Sequence, residues 1–203
     1  IWIDAAANFP DFANSKENIA RDLALAKDAG FTDIVVDVRP TTGDVLFKTN
    51  HVDQVKFMYA WIGSNYTKVE RTATWDYLQA FVDEARKQGL RIHAAINTFV
   101  GGNQIDGGTG LLYRDQSKAA WATQMNMQTG ITSVMNTSES AKFFNPAHPE
   151  VQTFLCNLLE DLASYDLDGI FLDRGRFLNL QADFSEESRK QFEAYMGGIK
   201  IQN

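Results

Sequence analysis

Residues 165–177 read YDLDGIFLDRGRF. A short apolar run, Gly169 to Leu172, ends in a carboxylate, Asp173, and Arg174 and Arg176 follow at once. Upstream, Val151, Phe154, Leu155, Leu158 and Leu162 recur at helical spacing behind Pro149, a good first helical residue. A helix, then a buried strand, then an acid at the strand's C-terminal tip is how a parallel α/β barrel presents reactive groups. Asp173 is therefore the first catalytic candidate. Asp168, just before the strand, reads as a turn residue.

The pattern repeats towards the N-terminus. Ile1 to Asp4 (IWID) reads as a strand, and Asn14 or Ser15 caps a helix carrying Ile19, Leu23 and Ala26 up to Gly30. Phe31 to Arg39 (FTDIVVDVR) is the next strand, stopped by Pro40. Thr72 or Thr74 caps a helix marked by Leu78, Phe81, Val82 and Ala85 and closed by Gly89. Leu90 to Asn97 is a strand with clean alternation. After Asp173, Ser185 caps a last helix whose apolar face is Phe192, Tyr195 and Met196. Four β-α units argue for an α/β fold with a parallel sheet. The expectation is a parallel (β/α)8 TIM barrel, of which residues 1–203 hold only the N-terminal half as one domain, incomplete at its C-terminus. A four-unit open sheet is the alternative.

Two long connections interrupt the repeat. Pro40–Arg71 is expected to hold a short hairpin around Thr42–Gly43–Asp44 and carries several aromatics. Thr98–Ala147 holds a hairpin turning near Thr129–Gly130 and the run Gly107–Gly110. That run opens no helix, so it reads as a flexible loop rather than a phosphate cradle. Long structureless connections in compact domains are often binding loops. Trp61 and Tyr113 are their candidates for ligand stacking, against the plainer role of loop core.

Strand parity sorts the polar groups, because side chains two apart share a face. Ile3, the Ile34/Val36/Val38 set, the Ile92/Ala94/Ile96 set and the Ile170/Leu172 pair form the apolar faces. Trp2/Asp4, Asp37/Arg39, His93/Asn97 and Phe171/Asp173 form the opposite ones. Polar groups thus converge at the C-terminal ends of all four strands, and so many need partners or a solvated pocket. Asp4, Asp37, Arg39, Asp44 and Asn97 join Asp173 as site candidates, with Arg176 just beyond it. Each has a structural reading too: Asp37 and Arg39 as an internal pair, Asp4 as a loop cap, Arg176 as a partner of Asp173, and His93 as a hydrogen-bonded core residue.

Composition narrows the partners. A net charge of −7 argues against nucleic acid and anionic membranes, which want clustered Lys and Arg. No apolar run reaches the roughly 18 residues that span a bilayer, and the chain opens at Ile1 without a charged-then-apolar leader. The single cysteine, Cys156, reads as a small buried side chain on the Val151–Leu162 helix. His51, His93 and His148 show no H-x-H or H-x-x-x-H pairing, which ranks a metal-dependent hydrolase or deacetylase last. No lysine falls at a strand tip for Schiff-base chemistry. Neither a metal nor another cofactor is expected.

The segments IWIDAAAN, AKDAGFTDIVVDVRPTTGDVLF, ARKQGLRIHAAINTF and FNPAHPEVQTFLCNLLEDLASYDLDGIFLDRGRF resemble, in order, the glycosyl-hydrolase-like family 10 barrels. The most specific pieces are NPAHPEV at Asn145–Val151 and DGIFLDRGRF. The tail DFSEESRKQFEAYMG is similar to members from gut Bacteroidetes. The resemblance implies a (β/α)8 barrel, secretion to the periplasm or cell surface, and action on a glycan, in some relatives on peptidoglycan strands. It also implies roles at the strand tips for Asp173, Arg39, Asp44 and Asn97. Glycoside hydrolysis commonly uses two carboxyl groups. Asp173 is then nucleophile or acid/base, with its partner Asp4, Asp37, Asp44 or a group beyond Asn203. The rival reading is a glycan-binding module without catalysis. The carbohydrate is the expected partner, and the oligomeric state is left open.

Overall fold

The structure is a computed structural model that describes residues 1–201. In chain order its elements are β1 (Trp2–Ile3), α1 (Phe9–Phe12), α2 (Lys16–Asp28), β2 (Asp33–Arg39), β3 (Phe57–Ile62), β4 (Asn65–Glu70), α3 (Tyr77–Gln88), β5 (Arg91–Asn97) and β6 (Val100–Asn103). They continue with α4 (Leu111–Arg114), β7 (Gln124–Met127), β8 (Gly130–Ser133), β9 (Ala141–Phe143), α5 (Pro149–Ala163), β10 (Gly169–Asp173) and α6 (Glu186–Tyr195). The chain divides into two compact units. The first comprises Ile1–Pro40, Asp44–Asn97 and Leu158–Asp173; the second comprises Thr41–Gly43, Thr98–Asn157 and the chain from Arg174 onward.

The first unit is built on a four-stranded sheet in the order β1-β2-β5-β10, and every pair is parallel. The α/β reading of the repeat is thus met. Ile34, Val36, Val38, Ile92, Ala94 and Ile96 are all buried, as strands covered by helices require. From α2 come Ile19 and Leu23, and from α3 Leu78, Phe81 and Ala85, all buried. Each large apolar side chain so enclosed contributes roughly 1.5–3 kcal/mol. Ser15 caps α2, its hydroxyl accepting from the Asn18 amide at 3.1 Å. The cap of α3 is Asp76 rather than Thr72 or Thr74, because its carboxylate accepts from the Gln79 amide at 3.1 Å. Gly89 closes α3 in the left-handed region.

The sheet curves strongly. Trp2 on β1 and Phe171 on β10 are separated by two strands, yet their rings meet edge to face with centroids 5.1 Å apart. In a flat sheet strands three places apart stand roughly 14 Å from one another at about 4.8 Å per step. The face that bears Trp2, Asp37, Asn97 and Phe171 is therefore concave.

The first connection differs from expectation. No hairpin forms at Thr42–Gly43–Asp44. The antiparallel pair is β3–β4, with Trp61 opposite Tyr66 and a turn at Gly63. Period-two alternation of FMYAWI decides it: Met58 and Ala60 are buried while the intervening rings face outward.

In the second unit, β7 and β8 form the hairpin expected near Thr129–Gly130, and β6 pairs with β9. Trp121, Phe144 and Phe154 form an aromatic core with ring centroids 5.5–5.9 Å apart. Within the run Gly107–Gly110, the stretch from Gly108 onward is packed rather than loose. A Cβ on Gly110 would stand 2.5 Å from the Gly101 carbonyl oxygen, and one on Gly108 would run into the Tyr113 ring. Two further expectations fail. Cys156 is exposed, because Val151, Phe154, Leu155, Leu158 and Leu162 occupy the buried stripe of α5. On α6, Phe192, Tyr195 and Met196 are exposed while Glu193 is buried, since its carboxylate accepts from Lys200 Nζ at 2.7 Å and the Ile201 amide at 3.0 Å.

Candidate functional site

The parallel register fixes which side chains share the concave face. Trp2 lies beside Val35, Val35 beside His93, and His93 beside Gly169; one step up, Asp37 lies beside Ala95 and Ala95 beside Phe171. At the C-terminal tips Asp173 lies beside Asn97. The pairing of β2 with β5 slips between Asp37 and Arg39, a bulge of the kind that re-aims side chains at a strand end.

Three carboxylates gather here. Asp37 is buried, and burial raises its carboxyl to about 7, helped by the neighbouring charges of Asp4 and Asp173. The Arg39 amide donates to Asp37 Oδ1 at 3.2 Å and opposes the rise, as does the Ala5 amide. Asp4 is exposed and its Oδ1 accepts from the Ala6 and Ala7 amides at 2.8 and 2.7 Å, so it does cap the turn that leaves β1. Asp173 is exposed at the tip of β10.

Arg39 is fully buried. Its Nη1 donates to the Asn97 carbonyl, and Asn97 Nδ2 returns a bond to the Arg39 carbonyl at 2.9 Å. This reciprocal clasp ties the tips of β2 and β5 together. Burial lowers the guanidinium to about 10, while Asp44 and Asp37 work to hold it charged. Asp44 is itself buried. Asp4, Asp37, Arg39, Asp44, Asn97 and Asp173 therefore all belong to the C-terminal end of the first unit's sheet or the residues just after it.

The other candidates fall elsewhere. Trp61 is on the outward face of the β3–β4 hairpin, 68% exposed. Tyr113 belongs to the second unit, its ring against Gly102 and Gly108. Arg176 is also in the second unit and donates to the Phe177 and Leu178 carbonyls at 3.0 and 2.8 Å, bonds that shape its own loop.

One further buried polar residue lies close to these carboxylates. Tyr77, in the first turn of α3, is buried, and its hydroxyl has no hydrogen-bond partner among the described residues. Burial, with the charges of Asp37 and Asp4, holds its proton on well above the ordinary tyrosine range, while Arg71 opposes. A tyrosine directly after a capping aspartate was the available signal. Among the described residues no group of three or more His, Cys, Asp or Glu is arranged to hold a metal ion, and no helix is long and apolar enough to cross a membrane.

Comparison with known proteins bears on this geometry. The profile of the glycosyl hydrolase-like 10 family matches residues 1–197. An S-layer-related protein of Niallia circulans is 32% identical over 211 residues, covering all of this chain but only 13% of that protein. The chain thus spans about an eighth of that relative's length. Among solved structures, a hypothetical protein from Ruminiclostridium thermocellum superposes with a TM-score of 0.60 at 14% identity, covering 96% of this chain and 90% of that one. An alpha-L-fucosidase isoenzyme from Paenibacillus thiaminolyticus gives a TM-score of 0.56 at 19% identity, covering 97% of this chain and 26% of the enzyme. At such identities the structural likeness speaks for the fold alone, an α/β fold built on a parallel sheet.

Proposed function

This chain belongs to the glycosyl hydrolase-like 10 family, and from that premise we propose that it forms the glycan-cleaving half of a secreted glycoside hydrolase. The observation that carries the reading is the gathering of Asp4, Asp37 and Asp173 on the concave face, with Asp37 raised to about 7. A carboxyl group that keeps its proton beside a second carboxyl group is the arrangement that hydrolysis of a glycosidic bond needs. Asp37 holds a proton near neutral pH and serves as the acid. Asp173, exposed at its strand tip, serves as the second carboxylate, attacking the anomeric carbon or activating water. Arg39 and Asn97 hold the tips in register, and Asp44 helps keep Arg39 charged.

The four parallel strands are the first half of an eight-stranded barrel in this reading, with the open edges of β1 and β10 closed by strands encoded further along the same polypeptide. The curvature that joins Trp2 to Phe171 supports this. A polysaccharide of the cell surface or periplasm is the substrate class, peptidoglycan strands included, a reading supported by the S-layer-related relative.

The test is release of new reducing ends from xylan, hydroxyethyl cellulose and purified peptidoglycan by the complete polypeptide, wild type and Asp173→Asn. Loss of at least roughly 10²-fold in the variant supports the reading. Near-normal release removes Asp173 from the chemistry. Binding by the wild type without any release turns the protein into a glycan-binding module.

A further inference from the structure

The hairpin β3–β4 carries a surface that the proposed chemistry does not use. Antiparallel pairing sets Phe57 opposite Glu70, Tyr59 opposite Lys68 and Trp61 opposite Tyr66, so these six side chains share one face. The reverse face is occupied: Met58 and Ala60 are buried in the first unit. The outward face is therefore a strip of rings. Trp61 is 68% exposed and Tyr66 56%. The Tyr66 ring centroid lies 5.3 Å from that of Trp61 and 5.4 Å from that of Tyr59, and the Tyr59 and Tyr66 planes are within 28° of parallel. Phe57 extends the strip, 6.1 Å from Tyr59, with Lys68 Nζ 4.0 Å above its ring.

We infer that this aromatic strip is a non-catalytic binding site for an extended, uncharged polysaccharide chain. Contiguous exposed aromatics on a soluble surface mark an interaction site more often than chance. Pyranose rings present one face of axial C–H groups, which pack on an aromatic ring while the equatorial hydroxyls stay wet. The two most exposed rings, Trp61 and Tyr66 opposite it across the hairpin, offer the contacts, and Tyr59 and Phe57 support them. Charge selects the polymer. The two ionic groups on the face, Lys68 and Glu70, cancel, so the strip is locally neutral on a chain of net charge −7. A nucleic acid also stacks on such rings but needs a groove of clustered cations, and a single lysine does not supply one. The choice of a glycan as ligand rests on the proposed function; the existence of the site rests on the hairpin.

The test is native affinity electrophoresis of the whole chain through gels containing hydroxyethyl cellulose, xylan or mannan. Wild type is expected to be retarded by at least one of them. The double substitution Trp61→Ala/Tyr66→Ala is expected to weaken that retardation at least about tenfold, two stacking contacts being lost, while Trp61→Phe keeps most of it. Thermal melts establish that each variant is folded. Asp173→Asn is expected to lose hydrolysis yet remain retarded, which separates the strip from the chemistry. Unchanged mobility of the folded double variant, or no retardation of wild type in any gel, overturns the site while leaving any measured hydrolysis standing. A dimer in light scattering that the double variant dissolves also overturns it, by making the strip a contact between copies.

Discussion

Asp33 and Asp37 stand four residues apart on the same face of β2, and their surroundings drive them in opposite directions. Asp33, at the N-terminal end, accepts from Arg91 through two bonds of 2.7 Å, from Thr32 Oγ1 at 2.7 Å, and meets His93 Nε2 at 2.9 Å. Those bonds, the arginine's first, hold its carboxyl well below the usual carboxylate range. Asp37, at the C-terminal end, is buried beside two further carboxylates and sits at about 7. One end of the sheet neutralises its charges pairwise, as a stabilising end does. The other gathers Asp4, Asp37 and Asp173 with the buried Arg39, the kind of charge crowding that functional ends keep.

The largest effect is expected at the crowded end. Asp173→Asn should cut glycan hydrolysis at least roughly 10²-fold, measured as reducing-end release. Next is Asp37→Asn. In wild type the rate should fall as pH rises through about 7, where the acid loses its proton; in the variant the rate should be at least about tenfold lower and that alkaline limb should vanish. A pH–rate profile reads both.

Stability sharpens the contrast. The folded carboxyl of Asp37 lies above its unfolded value, so the native state binds the extra proton. Stability from this group is present in acid and lost as pH rises from about 4 to about 7. Asp37→Asn should therefore melt progressively higher than wild type towards pH 8. For Asp33 the folded value is depressed, so its stabilisation is present above about pH 4 and lost as pH falls below that. Asp33→Asn should melt lower than wild type at pH 7 and converge with it in strong acid. The pH–rate profile of Asp33→Asn should match that of wild type. Parallel pH dependence of the two variants' melts would erase the distinction between the ends.

The smallest effect belongs to Gly169→Ala. Its new Cβ would stand 2.8 Å from His93 Nδ1, so the imidazole must turn away from Asp33. A drop of a few degrees in Tm is expected, with the Asp37 limb of the rate profile unmoved.

Much of this was written in local patterns. The alternation of Arg91–Asn97, the helical stripe of α5, the Ser15 and Ser185 caps and the acid at the tip of β10 each depend on neighbours in sequence, and each is found in the fold. What escaped depends on distant partners. Phe192, Tyr195 and Met196 have helical spacing, yet α6 buries Glu193 because Lys200 and Ile201 return to it. The local residues point to a hairpin at Gly43, where the backbone does take a positive φ of 83°, but there a Cβ would strike Gly101 at 2.9 Å, so the glycine serves close packing rather than a strand turn. Asp37 reads from the sequence as a polar group at a strand end. Its raised proton affinity does not, because burial and the approach of Asp4 and Asp173 exist only once four strands lie side by side.

Carbon-detected NMR titration of the aspartate side-chain carboxyls would measure the two ends of β2 in one experiment. Asp37 should titrate with a midpoint near 7, and Asp33 should remain ionised down to strongly acid pH. An Asp37 midpoint near the ordinary value of about 4 would contradict its proposed role as the proton-holding partner of Asp173.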